Sequence, residues 1–192
     1  MFEPVEFLRR QTRLQHEALE RQGVFAGIVR PDVRLDDYGR LLDLLWRFYA
    51  AVEPAVLRAV ASQPEISLYR PRLALLAADM TALGRALPAP GDIALPLASA
   101  GQLLGAIYAI EGSALGGQVI ARHLRKSLGS EVGGALGFFD GLAVNVGSHW
   151  QDVLALLRRS LTGPMAAEDA LRGAQGVFSA LHGLASGQAE RR

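Results

Sequence analysis

The sequence predicts an all-α fold, and three observations carry that expectation. Apolar residues recur at helical spacing along most of the chain, and no stretch alternates β-branched and polar residues between turn signals. Proline and glycine clusters punctuate the chain at intervals of helix length. With 192 residues, 50% of them hydrophobic, the chain is long enough to bury about 70% of its unfolded surface, so a single domain over 1–192 is expected.

Six helices are expected. The first covers about 4–22, with Pro4 suited to a first turn, and Gly23 and Gly27 loosen the chain behind it. The second follows the acidic pair Asp36-Asp37 and runs to about 61, with a kink expected at Pro54. The third covers 71–86 and stops at the Pro-Gly cluster 88–91. The fourth runs over 96–128, kinked at its glycines, before a Gly-rich connector at 129–141. The fifth covers 147–161 and the sixth 164–186, with a frayed tail at 188–192.

Composition excludes several classes of function. Twenty basic against 19 acidic residues leave a net charge of +1 with no long basic run, so the electrostatic footprint of a nucleic-acid binder is missing. Without cysteine there is no disulfide, zinc-thiolate site, iron-sulfur cluster or thiol nucleophile, and histidine or carboxylates are left as metal ligands. Residues 93–110 carry no charge, but Pro96, Ser99, Gly101, Gln102 and Gly105 dilute the run and Glu111 ends it. A buried helix, not a membrane span, is the expectation. The charged N-terminal stretch lacks the apolar core of a signal peptide, so a cytoplasmic location is expected.

Two segments carry candidate chemistry. In RRQTRLQHEALE (9–20), Val5, Leu8, Thr12, His16 and Leu19 fall within an arc of about 80° at 100° per residue, so His16 faces inward. Arg13 and Arg9 flank that stripe, where guanidinium groups meet the anionic edge of whatever His16 touches. Glu20, four residues on, is placed to accept the Nδ1 proton and leave Nε2 for a metal. A core histidine bonded to a backbone carbonyl satisfies the same pattern.

The second segment is EGSALGGQ (111–118). Gly101, Gly105, Ala109, Gly112 and Gly116 recur at spacings of three and four, leaving one side of the fourth helix nearly bare, although glycine costs about 1 kcal/mol per site in a helix. Either a neighbouring helix or a flat ligand lies against that side. His123, His149 and His182 read as structural, with His149-Trp150 equally open to a ligand contact or a cap packed by the indole; Tyr108 and Phe178 fit a pocket wall but are read first as packing residues. No histidine has a glutamate three residues before it, so the diiron bundle pattern is absent.

Together the two segments resemble the heme oxygenase family, particularly its bacterial branch associated with phytochromes. RRQTRLQHEALE is similar to the family's proximal-ligand helix and EGSALGGQVI to its distal helix. WRFYAAVEP (46–54), FFDG and SHWQDV within 138–153, and AQGVFSAL (174–181) echo it in the same order. The resemblance implies that His16 is the iron ligand, Glu20 its Nδ1 partner, and Gly112 and Gly116, with Gly117 beside them, the distal backbone. Arg13 and Arg9 then stand where the family places basic residues for heme propionates, and Thr12 keeps its place four before the histidine. Ser113 occupies the position where many members carry an aspartate that orders water; a serine hydroxyl or backbone carbonyls take that task here.

What the resemblance implies for function is oxidative cleavage of heme, both substrate and cofactor, to biliverdin, iron and carbon monoxide. O2 and electrons from a ferredoxin or flavoprotein reductase are required, since no flavin or nicotinamide fingerprint is present. A bacterial phytochrome is the expected recipient of biliverdin. Two rival readings stand beside it: a heme-binding carrier or sensor without turnover, which Ser113 favours, and a helical interaction module without ligand.

Overall fold

The computed structural model describes residues 2–189. Among them are eight α-helices and two 3-10 turns, with no β-strand. The helices are α1 (Pro4–Glu20), α2 (Gly23–Ile28), α3 (Leu35–Ala61), α4 (Leu73–Ala82), α5 (Ala100–Leu128), α6 (Gly137–Ala143), α7 (Val146–Ser160) and α8 (Pro164–Ala189). The 3-10 turns are Pro64–Ile66 and Gly129–Val132. This is the all-α architecture expected from the periodicity, with two helices more than the sequence announced.

Local chemistry sets most boundaries. The Glu3 carboxylate accepts the backbone N–H groups of Val5 and Glu6 at 3.4 and 2.7 Å and starts α1 one residue before Pro4. Asp37 accepts the N–H of Arg34 at 2.9 Å and opens α3, and α3 then passes through Pro54 as one helix. Ser99 Oγ accepts from Gln102 N at 3.1 Å and starts α5 four residues later than expected, which leaves Pro96 in the preceding loop.

The extra helices correct two expectations. Where Gly23 and Gly27 were read as loosening the chain, α2 forms and buries Ile28. Where a Gly-rich connector was expected, α6 forms because Phe138, Phe139 and Leu142 are buried there and Asp79 of α4 accepts the N–H groups of Gly137 and Phe138, each at 2.8 Å. The expected tail runs past the described residues; α8 itself continues through Ala189.

The central element is α5, which packs chiefly on α8 and also meets α6 and α7. It is helical through all its glycines. A Cβ on Gly105 would overlap the Ala170 carbonyl oxygen, and one on Gly173 would overlap that of Gln102, so each helix presents a glycine to the other's backbone. The α5 segment is long and apolar enough to cross a membrane, and 50% of its most apolar window is buried against its neighbours. The same arrangement lays α1 along α8 and brings it opposite the face of α5 that carries Gly112.

Candidate functional site

A cavity of about 430 Å³ opens between α1 and α5. Arg9, Thr12, Arg13 and His16 line it from α1, and Tyr108, Ala109, Gly112, Ser113 and Leu115 from α5. Phe48 and Tyr49 of α3, Trp150 of α7, and Val177, Phe178 and Leu181 of α8 close the sides. The two segments singled out by sequence, some hundred residues apart, therefore face one another across a largely apolar space.

The α1 stripe divides in two. Val5, Leu8, Thr12 and Leu19 are buried as the helical period predicts, but the His16 side chain is 57% exposed and points into the cavity. Its ring meets the edge of Phe178 at 5.9 Å with the planes 73° apart, and no hydrogen bond to it forms among the described residues. That removes the alternative of a core histidine capped by a carbonyl. Glu20 Oε1 stands 3.6 Å from Nδ1, on the expected side but beyond hydrogen-bond length.

At the cavity rim, Arg13 pairs with Glu17 at 2.9 Å and Arg9 with Glu6 at 3.6 Å, both in exposed pairs that cost little to break. Thr12 is buried, and its hydroxyl donates to the Leu8 carbonyl at 2.8 Å. It is a wall residue with a committed donor.

The glycines of α5 do not act as one bare face. Gly101 and Gly105 belong to the α8 crossing, with Asp169 and Ala170 against them. Gly112 looks into the cavity, where a Cβ would stand 3.2 Å from the Trp150 ring, and that ring lies 5.6 Å from Tyr108. Gly116 is exposed, with nothing within 4 Å of a Cβ, and does not itself line the cavity. Gly117 turns to the opposite side, where a Cβ would come 2.9 Å from Phe139. Ser113 Oγ donates to the Ile110 carbonyl at 2.7 Å, and Tyr49, buried and with its hydroxyl pKa raised by that burial, lines the same cavity.

These observations can now be set beside known proteins. The heme oxygenase family model matches residues 5–185. The chain belongs to the heme oxygenase family. It is also similar to a heme oxygenase from Xanthomonas campestris pv. campestris (strain 8004), with 38% identity over 114 residues, which is 59% of this chain and 67% of that protein. As a heme oxygenase it is an enzyme that cleaves heme to biliverdin, iron and carbon monoxide, with heme as substrate and cofactor and O2 and a reductase as the other participants.

Of the two roles open to Tyr108 and Phe178, the sequence favours core packing over a pocket wall, yet both line the cavity. Sequence reasoning missed Tyr49, although WRFYAAVEP contains it, and it missed a cluster of buried charges directly behind Gly112. His149, read as structural, belongs to that cluster through Glu111. His123 bonds the Arg30 carbonyl at 2.9 Å and His182 bonds Gln22 at 2.7 Å, both away from the cavity.

Proposed function

We propose that heme occupies the α1–α5 cavity, where His16 Nε2 would hold its iron and the backbone of Gly112 and Ser113 would line the side across from His16. The observation that carries this reading is the uncommitted imidazole of His16 directed into the cavity across from Gly112. The residues fit the group: aromatic walls from Phe178, Trp150 and Tyr108 suit a flat macrocycle, and the arginines at the mouth suit its propionates. When bound, heme supplies the iron that activates O2 and the ring carbon that is oxidised.

The chain's own residues do the rest. His16 would hold the iron through the Nε2 lone pair, and Glu20, a side-chain rotation away at 3.6 Å, would accept a hydrogen bond from Nδ1–H and fix the tautomer. Arg9 and Arg13 exchange their exposed carboxylate partners for propionates and set the rotation of the ring. Gly112 keeps side-chain bulk out of the cavity opposite His16. With its donor held by Ile110, Ser113 Oγ offers lone pairs to the cavity that the Tyr49 side chain also lines, and these two hydroxyls order water where other members use aspartate.

The same reading includes a reduced ferredoxin or flavoprotein reductase as electron donor, a cytoplasmic setting, and a bacterial phytochrome that receives biliverdin. What supports the phytochrome link is the EGSALGGQVI segment with Ser113 in place of aspartate. The test is a titration with hemin of wild type and His16→Ala, followed by reductant and air in the presence of catalase. A His16-dependent absorption band that decays into a bilin spectrum is expected. A band equally intense in His16→Ala would overturn the ligand assignment, and a band that survives turnover conditions would favour a carrier.

A further inference from the structure

The strongest feature outside the cavity is the set of buried charges behind Gly112. Glu111 is buried on α5, and its carboxylate accepts four hydrogen bonds. They come from Arg70 N and Arg70 Nε at 3.0 Å each, Arg72 Nη1 at 2.9 Å and His149 Nε2 at 3.0 Å. Arg72, fully buried, also donates from Nη2 to the Ile110 carbonyl at 3.3 Å, the same carbonyl that accepts from Ser113. On its other side Arg72 N donates to Glu53 of α3 at 2.7 Å, where Tyr69 also donates at 2.8 Å.

This cluster is not an economical way to gain stability. A buried ion pair often does no better than apolar residues of similar volume, because desolvation offsets the attraction. What it supplies is fixed geometry. Packing on α8 holds α5 at Gly101 and Gly105, but Gly112 and Gly116 bring no side chain of their own to the stretch beside the cavity, so a directional bond there adds a restraint that packing does not supply. Behind that stretch, one carboxylate joins the segment at 67–72, α5 and α7. Consecutive residues carry the link on both helices: Glu111 bonds His149, while Gly112 faces Trp150.

We propose that Glu111 is a positioning residue for heme cleavage. Its cluster with Arg70, Arg72 and His149 fixes the depth and rotation of α5 at Gly112 and Ser113, and so selects which bridging carbon of heme meets the distal backbone. The inference rests on the reading that α1 and α5 face the two sides of heme.

The test compares wild type with Glu111→Gln, which keeps shape but loses the charge and turns one acceptor into a donor, and with His149→Asn, which removes a single bond at the half-open edge. Three readouts are taken: hydrogen exchange of residues 110–117 in the protein without hemin, the C–O stretching frequency of the ferrous carbon monoxide complex, and the isomer composition of the bilin product. In Glu111→Gln, exchange rises about tenfold or more in that segment, the stretching frequency shifts and broadens, and a single bilin isomer becomes a mixture. His149→Asn moves each readout in the same direction by less, and it decides the matter if Glu111→Gln does not fold. Unchanged exchange with an unchanged single isomer overturns the proposal. If the hemin spectrum proves independent of His16, the site reading fails instead, while exchange in hemin-free protein still reports whether Glu111 holds α5.

Discussion

Alanine placed at three glycines of α5 has three different outcomes, because the helix meets something different at each. At Gly105 a Cβ would overlap the Ala170 carbonyl oxygen and stand 2.6 Å from its carbon, where 3.4 Å begins ordinary contact. The obstacle is backbone, so α5 and α8 must part, and overpacking of this kind costs about 3 kcal/mol or more. For a chain of this size that lowers Tm by about 6–12 °C. At Gly116 a Cβ meets nothing within 4 Å, so the gain in helix propensity of about 0.5–1 kcal/mol raises Tm by about 1–4 °C. At Gly112 the neighbour is the ring of Trp150 at 3.2 Å, which yields by a few tenths of an ångström, so Tm stays near wild type. Only Gly112→Ala lowers bilin formation at unchanged hemin affinity, and Gly112→Leu blocks or diverts it. Scanning calorimetry and product analysis on the three alanine variants check this order. A Gly105→Ala protein within 2 °C of wild type, or a Gly112→Leu protein with full bilin yield, refutes the division of labour along α5.

Two further outcomes follow from charge. Burial alone would raise the Glu111 carboxyl, but Arg72 and Arg70 outweigh it and hold the pKa below its ordinary 4.5. The stability this ionised group confers is therefore complete above about pH 4.5 and is lost as pH falls through the lower folded-state value. The stability gap between wild type and Glu111→Gln, about 3 kcal/mol or more at neutral pH, narrows below that point in unfolding measurements; a gap constant down to pH 3 contradicts the ion pairing. Arg13→Ala removes an exposed pair and shifts stability by less than about 1 kcal/mol. It nonetheless weakens hemin binding several-fold, and to a similar degree as Arg9→Ala. Equal hemin affinity in both variants and wild type argues against a propionate role for the rim.

Much of this architecture can be read along the chain, and the exceptions share a cause. The stripe of α1 gives the correct angular face, yet period alone does not say whether that face meets side chains or a cavity; Leu8 is buried and His16 looks into the opening. Gly101 to Gly116 mark a face without bulk, which packing against Ala170 and exposure beside a cavity satisfy equally, and only the path of α8 separates them. α2 and α6 span six and seven residues, too few to display a period, and tertiary contacts hold them in place of propensity. The Glu111 cluster left no local trace because Arg70 and Arg72 lie in a non-helical segment about forty residues away. Glu111 itself looked like the polar end of an apolar run, when it is the point at which α5 is bonded to Arg70, Arg72 and His149.

A structure of the hemin complex tests the central claim most directly. The account predicts iron bonded to His16 Nε2, the ring stacked between Phe178 and the Gly112–Ser113 backbone, propionates turned toward Arg9 and Arg13, and Glu111 still held by Arg70, Arg72 and His149. Iron bound by another residue, or a porphyrin seated anywhere but between α1 and α5, contradicts it.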